Sequence, residues 1–412
     1  MLRFLTAGES HGPELLVIVD GLPAGVEVRQ QALDTDLVRR QQGYGRGARS
    51  TRIERDHAEV VSGVAQQRTT GAPVGIRIVN RDFANQPAEP KRLSAPRPGH
   101  ADLPGGMKYG LDDFRLVRER ASARETAARV AAGTLARSLL SAFGTEVGSF
   151  VSCIGDERID VPLADLDEGR LWGLAGPAED DPVRCPDAAA SARMVAAIDA
   201  AKEAGETLGG VFVVFATGVP VGLGSHVQWD RRLDGLLLGA VGSIHAIKGA
   251  EVGDAFHLAT LPGTQAVDSI VSGGPDEPGL GRPTNRAGGL EGGITNGRPV
   301  VVRAAMKPLS SVRRQVESVD LATGAPVDPA YVRSDVCAVP AAAVVGEAMV
   351  AWVLADALVE RFGGDRLDLM LAASEQAAAD PRWTPPPGAS PGEPRDEPAP
   401  DEPVREDRDA ER

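Results

Sequence analysis

Apolar residues fall at alternate positions, or in short unbroken runs, at four places along the chain: residues 14–19, 74–79, 210–216 and 299–305. Most of these runs are bounded by Gly, Pro or Asn, so the pattern predicts sheet strands. Longer alanine-rich stretches predict helices over 32–41, 122–143, 191–204, 231–247 and 341–362. Gly205, Gly249 and Gly363 close the last three, and Pro340 opens the final one. Strands and helices are mixed without the strict alternation that would predict a doubly wound parallel sheet. No internal repeat of fixed period is present.

Composition narrows this picture. The 412 residues allow one large domain or two ordinary ones, and 42% hydrophobic residues suffice for a core, which excludes wholesale disorder. No apolar run approaches the roughly 18 residues of a membrane span, and polar Gly8-Glu9-Ser10-His11 follows Met1 too soon for a signal peptide. A cytoplasmic protein with no membrane partner is the expectation. Cys153, Cys185 and Cys337 are too few and scattered for a disulfide framework or a thiolate cage, and no His/Asp/Glu spacing resembles a metal site.

The net charge is −14. Residues 385–412 hold eight prolines and nine carboxylates against four arginines, with almost nothing apolar, so they cannot offset their ordering entropy and read as a disordered tail. The remainder carries −9. Its positive charge is almost all arginine, since only Lys91, Lys108, Lys202, Lys248 and Lys307 are lysines. GC-rich codon usage accounts for the ratio, but not for the clustering.

Five of the fourteen residues from Arg39 to Arg52 are arginines, interleaved with Gly43, Gly45 and Gly47. Guanidinium forks match phosphate and carboxylate oxygens, and glycines let the backbone approach a ligand. Tyr44 is the one aromatic available for stacking, and the acidic surroundings repel a polyanion, so a small multiply charged anion is favoured over a solvated face or nucleic acid. Ser122-Ala123-Arg124-Glu125 has the form of a capping box, placing a helix N-terminus between Arg120 and Arg124. An anion there would resolve the conflict between helix dipole and guanidinium charge.

Gly8-Glu9-Ser10-His11-Gly12 fits the nucleophile-elbow pattern, but an elbow needs a helix after its serine, and a strand-like run follows here. A capped turn and a loop for binding or proton transfer are the other readings. His100 stands between rigid turn residues beside Asp102, a carboxylate able to orient its ring. The stretches 288–293 and Lys307-Pro308-Leu309-Ser310-Ser311 frame a strand; the second fits a phosphate pocket, and a plain loop is an equal reading of either. No Walker A sequence or dinucleotide fingerprint is present. From residues alone, the reading is an enzyme for phosphorylated or polycarboxylate small molecules, with an esterase using Ser10 and a non-catalytic anion binder as rivals.

Seven strings in one order are similar to those of the chorismate synthase family: residues 8–12, 39–47, 69–73, 97–102, 119–126, 285–293 and 333–340. The resemblance spans about residues 3–375. It implies an α+β fold, a β-α-β sandwich with antiparallel sheets around core helices, filling a catalytic domain over 1–380 with the tail at 381–412. It implies a homotetramer and a reaction converting 5-enolpyruvylshikimate 3-phosphate to chorismate and phosphate, with reduced FMN as cofactor. His11 would be general acid to the departing phosphate, His100 would manage protonation of reduced flavin, and Asp335 would help the flavin N5 accept the substrate hydrogen. The matching FMN positions are Arg120, Ala121, Ser122, His245, Ala246, Gly292, Lys307, Pro308, Leu309, Ser310, Ser311 and Arg333. Arg40 and Arg46 match positions assigned to NADP in bifunctional relatives. Here they are expected, with Arg49, Arg124 and Ser10, around substrate phosphate and carboxylates. NADPH would then act only as an outside source of reducing power. His245 departs from the Asn or Gln common in the family, and 80–86 lacks a tryptophan often found nearby.

Overall fold

The computed structural model describes residues 1–47, 56–87, 92–272, 280–314, 316–328 and 334–379, and the acidic tail lies outside them. Two antiparallel sheets enclose a layer of helices, the α+β sandwich expected. The first sheet joins β1 (Arg3–Ala7), β2 (Glu14–Asp20), β3 (Ala58–Ser62) and β4 (Val74–Val79) in the order β1-β2-β4-β3. The second joins β5 (Glu146–Ile154), β6 (Gly210–Thr217), β7 (Ile247–Val252) and β8 (Val300–Met306) in the order β7-β8-β6-β5, with Glu157–Arg158 at its edge.

The patterning follows from which faces are covered. In β2, Leu15, Val17 and Val19 are buried while Leu16 and Ile18 are exposed, because helices cover only one face of the first sheet. The strand β6 is buried along most of its length. One side of the second sheet meets the central helices, and the other carries a separate cluster in which Phe150, Val213, Phe215 and Val301 pack with Leu171.

The helices are α1 (Gln30–Gln41), α2 (Asp102–Tyr109), α3 (Phe114–Ala121), α4 (Thr126–Ala142), α5 (Glu168–Asp180), α6 (Ala188–Ala204), α7 (Leu233–Gly242), α8 (Val339–Phe362) and α9 (Leu367–Ala378). Leu171 lies on α5. The pair α4 and α8 forms the centre: Gly133 leaves no space for a side chain against Ala348, and a Cβ on Gly346 would fall 2.8 Å from Phe212 and Val214. Contrary to the reading of apolar runs, α8 is long and apolar enough to cross a membrane by length and composition. In this fold 83% of its most apolar stretch is buried, so its apolarity serves the core.

Two helix expectations need correction. The segment 231–247 is helical only to Gly242, after which the chain turns through Ala246 at φ +65° and enters β7. The segment from Ser122 begins as a 3-10 turn, Ala123–Glu125, before α4. Ser122 Oγ accepts from the Arg124 N–H at 3.3 Å, while the Glu125 carboxylate accepts from Thr6 and Arg129, each at 2.9 Å, so the box is not reciprocal.

In the middle of α8, Glu347 is a fully buried carboxylate. It accepts from Arg39 of α1 (2.8 and 2.9 Å), Arg137 of α4 (3.0 Å), Arg184 (3.3 Å) and Ser149 of β5 (2.6 Å). Burial raises its pKa, but Arg39 and Arg137 more than offset that and bring it down to about 2. Because the folded value lies below the unfolded one near 4.5, the stability this group contributes is complete above that value and lost as pH falls through about 2. Glu347→Gln should therefore cost about 3–5 kcal/mol in urea melts at neutral pH, by leaving buried arginines uncompensated. It should also flatten the acid-side fall in stability between about pH 4.5 and 2. A variant as stable as the parent would show the cluster to be dispensable.

Candidate active site

One cavity of about 1160 Å³ gathers most of the sequence-selected residues. Its walls come from the turn between β1 and β2, the glycine-arginine loop after α1, the start of α2, the junction of α3 with α4, and the segments after α7 and β8.

Ser10 and His11 occupy the β1–β2 turn, so Ser10 precedes a strand and the nucleophile-elbow geometry is absent. The Asn80 side chain clamps this turn by donating to the carbonyls of Ser10 (3.3 Å) and Gly12 (2.8 Å). From α3, Glu119 accepts from the His11 backbone N–H at 2.7 Å and meets its Nδ1 at 2.9 Å. Its backbone carbonyl accepts from Ser10 N–H at 2.9 Å. Burial raises the Glu119 carboxyl, but these bonds from His11 hold it below its ordinary value.

His100 lies just before α2, with Nδ1 2.6 Å from Oδ1 of fully buried Asp102. The Asp102 Oδ2 accepts from Arg97 N–H (2.9 Å) and Arg118 Nε (2.8 Å). Against the cost of burial, the bonds from His100, the Arg97 backbone and Arg118 hold Asp102 well below the usual carboxylate range. Arg97 also reaches Ser311 Oγ at 2.7 Å, and Ser310 Oγ donates to the Gly99 carbonyl at 2.7 Å. These contacts bring the Lys307 loop beside His100, and Lys307 Nζ completes it with a bond to Ser310 Oγ at 3.0 Å.

The arginine loop depends on left-handed glycines. Gly45 has φ +84°, and a Cβ there would lie 3.0 Å from Ile198 Cγ2 and 3.2 Å from Cys337 Cβ. Such an approach lets the Gly45 carbonyl accept from Val336 N–H at 2.8 Å. One residue further, Arg46 Nη1 pairs with Asp335 Oδ2 at 2.7 Å, and Gly47 N–H donates to Asp335 Oδ1 at 2.6 Å. Burial pushes the Cys337 thiol up to about 12, so it stays protonated beneath the loop. Deeper in, Arg40 donates to Thr126 Oγ1 (2.8 Å) and the Ala123 carbonyl (2.9 Å), and Asp56 lies between Arg40 (3.8 Å) and Arg124 (2.5 Å).

Beyond α7, the left-handed Ala246 sends its carbonyl to Lys307 N–H at 2.9 Å. Next to it, the buried Nδ1 of His245 has no hydrogen-bond partner among the described residues. Burial lowers the pKa of this imidazole, with Arg129, Arg40 and His100 adding to the effect and Glu125 opposing it.

The cavity thus brings together Ser10, His11, Arg40, Arg46, His100, Ala121, Ser122, Arg124, His245, Ala246, Lys307, Leu309, Ser310, Ser311 and Asp335. It does not include Arg120, whose guanidinium turns to the Thr6 and Gly8 carbonyls, or Pro308. Gly292 also falls outside the lining, in a small hairpin beside His226. Arg49 and Arg333 lie outside the described residues. Asp102 orients His100 as its place in the sequence suggested, and residues not selected for the site are Asp56, Arg97, Arg115, Arg118 and Glu119. The signals at hand were the position of Arg97 and Asp102 on either side of His100 and the charge run ending at Arg124. Asp56 carried none.

Seven basic side chains, Arg40, Arg46, Arg97, Arg115, Arg118, Arg124 and Lys307, line a cavity that also holds three imidazoles, within an acidic chain. Fold and cavity together define an α+β protein with a strongly cationic pocket that also holds imidazoles. The profile of the family described as chorismate synthase matches residues 2–359. Curated relatives called chorismate synthase are 51% identical over 380 residues in Chlorobaculum tepidum, covering 89% of this chain and 95% of that protein. One from Moorella thermoacetica is 52% identical over 388 residues, covering 91% and 99%. A crystal structure of chorismate synthase superposes with a TM-score of 0.75 at 42% identity, covering 91% of this chain and 97% of the other. The chain belongs to the chorismate synthase family.

Gly45→Ala tests the loop that carries Arg46. The left-handed conformation and the contacts with Ile198 and Cys337 should cost about 1–3 kcal/mol in chemical unfolding. Binding of phosphorylated ligands should weaken at the same time. Parent-like stability and binding together would exclude this role for the glycine.

Proposed function

We propose that the protein converts 5-enolpyruvylshikimate 3-phosphate to chorismate and phosphate by 1,4-anti elimination dependent on reduced FMN, with His11, His100 and Asp335 as its proton-handling residues. The observation that carries this reading is the meeting of two carboxylate-paired imidazoles and seven cations around one cavity in a chain of this family.

The residues fit a flavin mononucleotide. The cavity is large enough for substrate and cofactor side by side, and it offers apolar wall from Leu93, Met306 and Leu309 alongside polar groups. Buried polar atoms with no partner among the described residues, His245 Nδ1 and Arg118 Nη1, suit a ligand rich in acceptors. Lys307, Ser310 and Ser311 would hold the cofactor beside His100, with Ala121, Ser122, His245 and Ala246 as further contacts. When bound, reduced FMN supplies electron density as phosphate departs and recovers it as the C6 hydrogen is removed, so no net redox change results.

The chain's own groups do the rest. Arg40, Arg46 and Arg124, with Ser10, bind and orient the substrate's phosphate and carboxylates and offset its charge. His11 meets Glu119 through Nδ1, so the proton it gives to the leaving phosphate would come from Nε2 of its imidazolium form. His100 is set by Asp102 at Nδ1 and by the Arg97 guanidinium, a donor 3.1 Å from Nε2, and would manage protonation at the cofactor end. Asp335, held in place by Arg46 and the Gly47 N–H, is the third proton-handling group. Without a dinucleotide fingerprint, the reading is a monofunctional enzyme that takes reducing power from outside.

Anaerobic incubation with the substrate and chemically reduced FMN should yield chorismate and free phosphate in equal amounts. Absence of phosphate, or equal release without flavin, would sink the lyase reading. His11→Ala and His100→Ala should each slow turnover by about 10²-fold or more. A near-normal rate in either variant would remove that residue's role.

A further inference from the structure

We propose that α3 positions both imidazoles through two consecutive residues: Glu119 orients His11 directly, and Arg118 orients His100 by way of Asp102. The proposal deepens the proposed function and rests on His11 and His100 being its proton donors and acceptors, but the geometry behind it is independent of substrate.

Glu119 grips the His11 turn at three points, through the imidazole Nδ1 (2.9 Å), the His11 backbone N–H (2.7 Å) and the Ser10 N–H (2.9 Å). A carboxylate only accepts hydrogen bonds, so its contact with Nδ1 requires the proton of a neutral ring to sit there. Nε2 is then the acceptor nitrogen of the neutral ring. Asp102 imposes the same tautomer on His100 at 2.6 Å, provided that it remains ionised in a fully buried position. Its other oxygen secures that condition by accepting from Arg118 Nε and the Arg97 N–H. Arg118 is itself buried, and its Nη2 also pairs with Asp102 at 2.7 Å.

Adjacent helical residues point roughly 100° apart around the axis. Arg118 and Glu119 therefore reach different sides of one short helix, each meeting the group that sets one imidazole. Three hydrogen bonds that Glu119 accepts from residues 10–11, and two contacts from Arg118 to Asp102, tie the turn before β2 and the start of α2 to the same rigid element. Glu119, Arg118 and Asp102 are positioning residues, since each acts through an imidazole.

The test is ¹⁵N-histidine NMR of the full-length protein without substrate or flavin at a pH where the rings are neutral. His11→Gln and His100→Gln spectra assign the two signals. Both rings should show a protonated Nδ1 and a bare Nε2 in the parent protein, and an Nε2–H tautomer at either ring would overturn the proposal before any further variant is made. Glu119→Gln offers an amide donor to Nδ1 and should shift His11 toward the Nε2–H tautomer while leaving His100 unchanged. Arg118→Gln and Asp102→Asn should perturb His100 alone. If the folded variants keep parent tautomers, the positioning role is excluded. In turnover assays Glu119→Gln should lower kcat by about tenfold or more with little change in KM. Loss of KM alone would mark a binding role instead and overturn the proposal. Expected tautomers in a protein that releases no phosphate would refute the proposed reaction and leave the positioning intact, so the two failures are distinguishable.

Discussion

A single negative charge at the middle of a 24-residue apolar helix constrains how everything around it is assembled. Glu347 can be ionised there only because arginines from α1, from α4 and from the segment before α6 converge on it. Asp36 of α1 in turn accepts from Arg39, Thr134 and Arg137, which joins α1 to α4 a second time. Apolar packing of alanine and valine is tolerant of sliding and rotation, whereas a network of directional charged bonds accepts one arrangement. The cluster thus sets the register of the central helices. Residues on the far ends of those helices, Arg40 beside Arg39 and the loop preceding α8, then arrive at the cavity in fixed positions.

The same principle of matched charge runs through the pocket. Each histidine proposed to move protons has its own buried or half-buried carboxylate, and the arginine pair Arg40 and Arg124 shares Asp56. The pocket therefore holds its cations without a large unbalanced charge. A multiply anionic ligand meets guanidinium groups already oriented by other bonds, which lowers the ordering cost of binding.

Much of this was legible in the chain, and the failures have physical causes. All four strands chosen from apolar patterning exist, with small changes at their ends, because β2 and β4 alternate and β6 and β8 are buried on both faces. The strand β7 was missed and residues 243–247 were read as helix because the apolar periodicity of α7 continues past Gly242, and nothing in Ser243-Ile244-His245-Ala246 announces a left-handed alanine. Strings such as Gly8-Glu9-Ser10-His11-Gly12 located the pocket, since glycine-rich turns with reactive side chains are local features. Asp56 and Glu119 were missed because their importance comes from partners 68 and 108 residues away. Long-range pairing of a lone acid leaves no local trace. The Arg120 side chain shows the reverse error, a charge next to the helix junction that folds outward onto backbone carbonyls.

Helix α8 occupies the centre of the fold, yet it is encoded near the end of the described chain. During synthesis both sheets, with the strands β1 to β8, emerge before α8, the second of the two central helices, exists. The inner face of the second sheet must wait for residues 339–362, and Asp335, just upstream, joins the pocket at the same moment. Such delayed non-local closure makes for slow folding and for an interval in which the nascent chain exposes sticky surface. The order of manufacture thus assigns the pocket and the core a common, late time of completion.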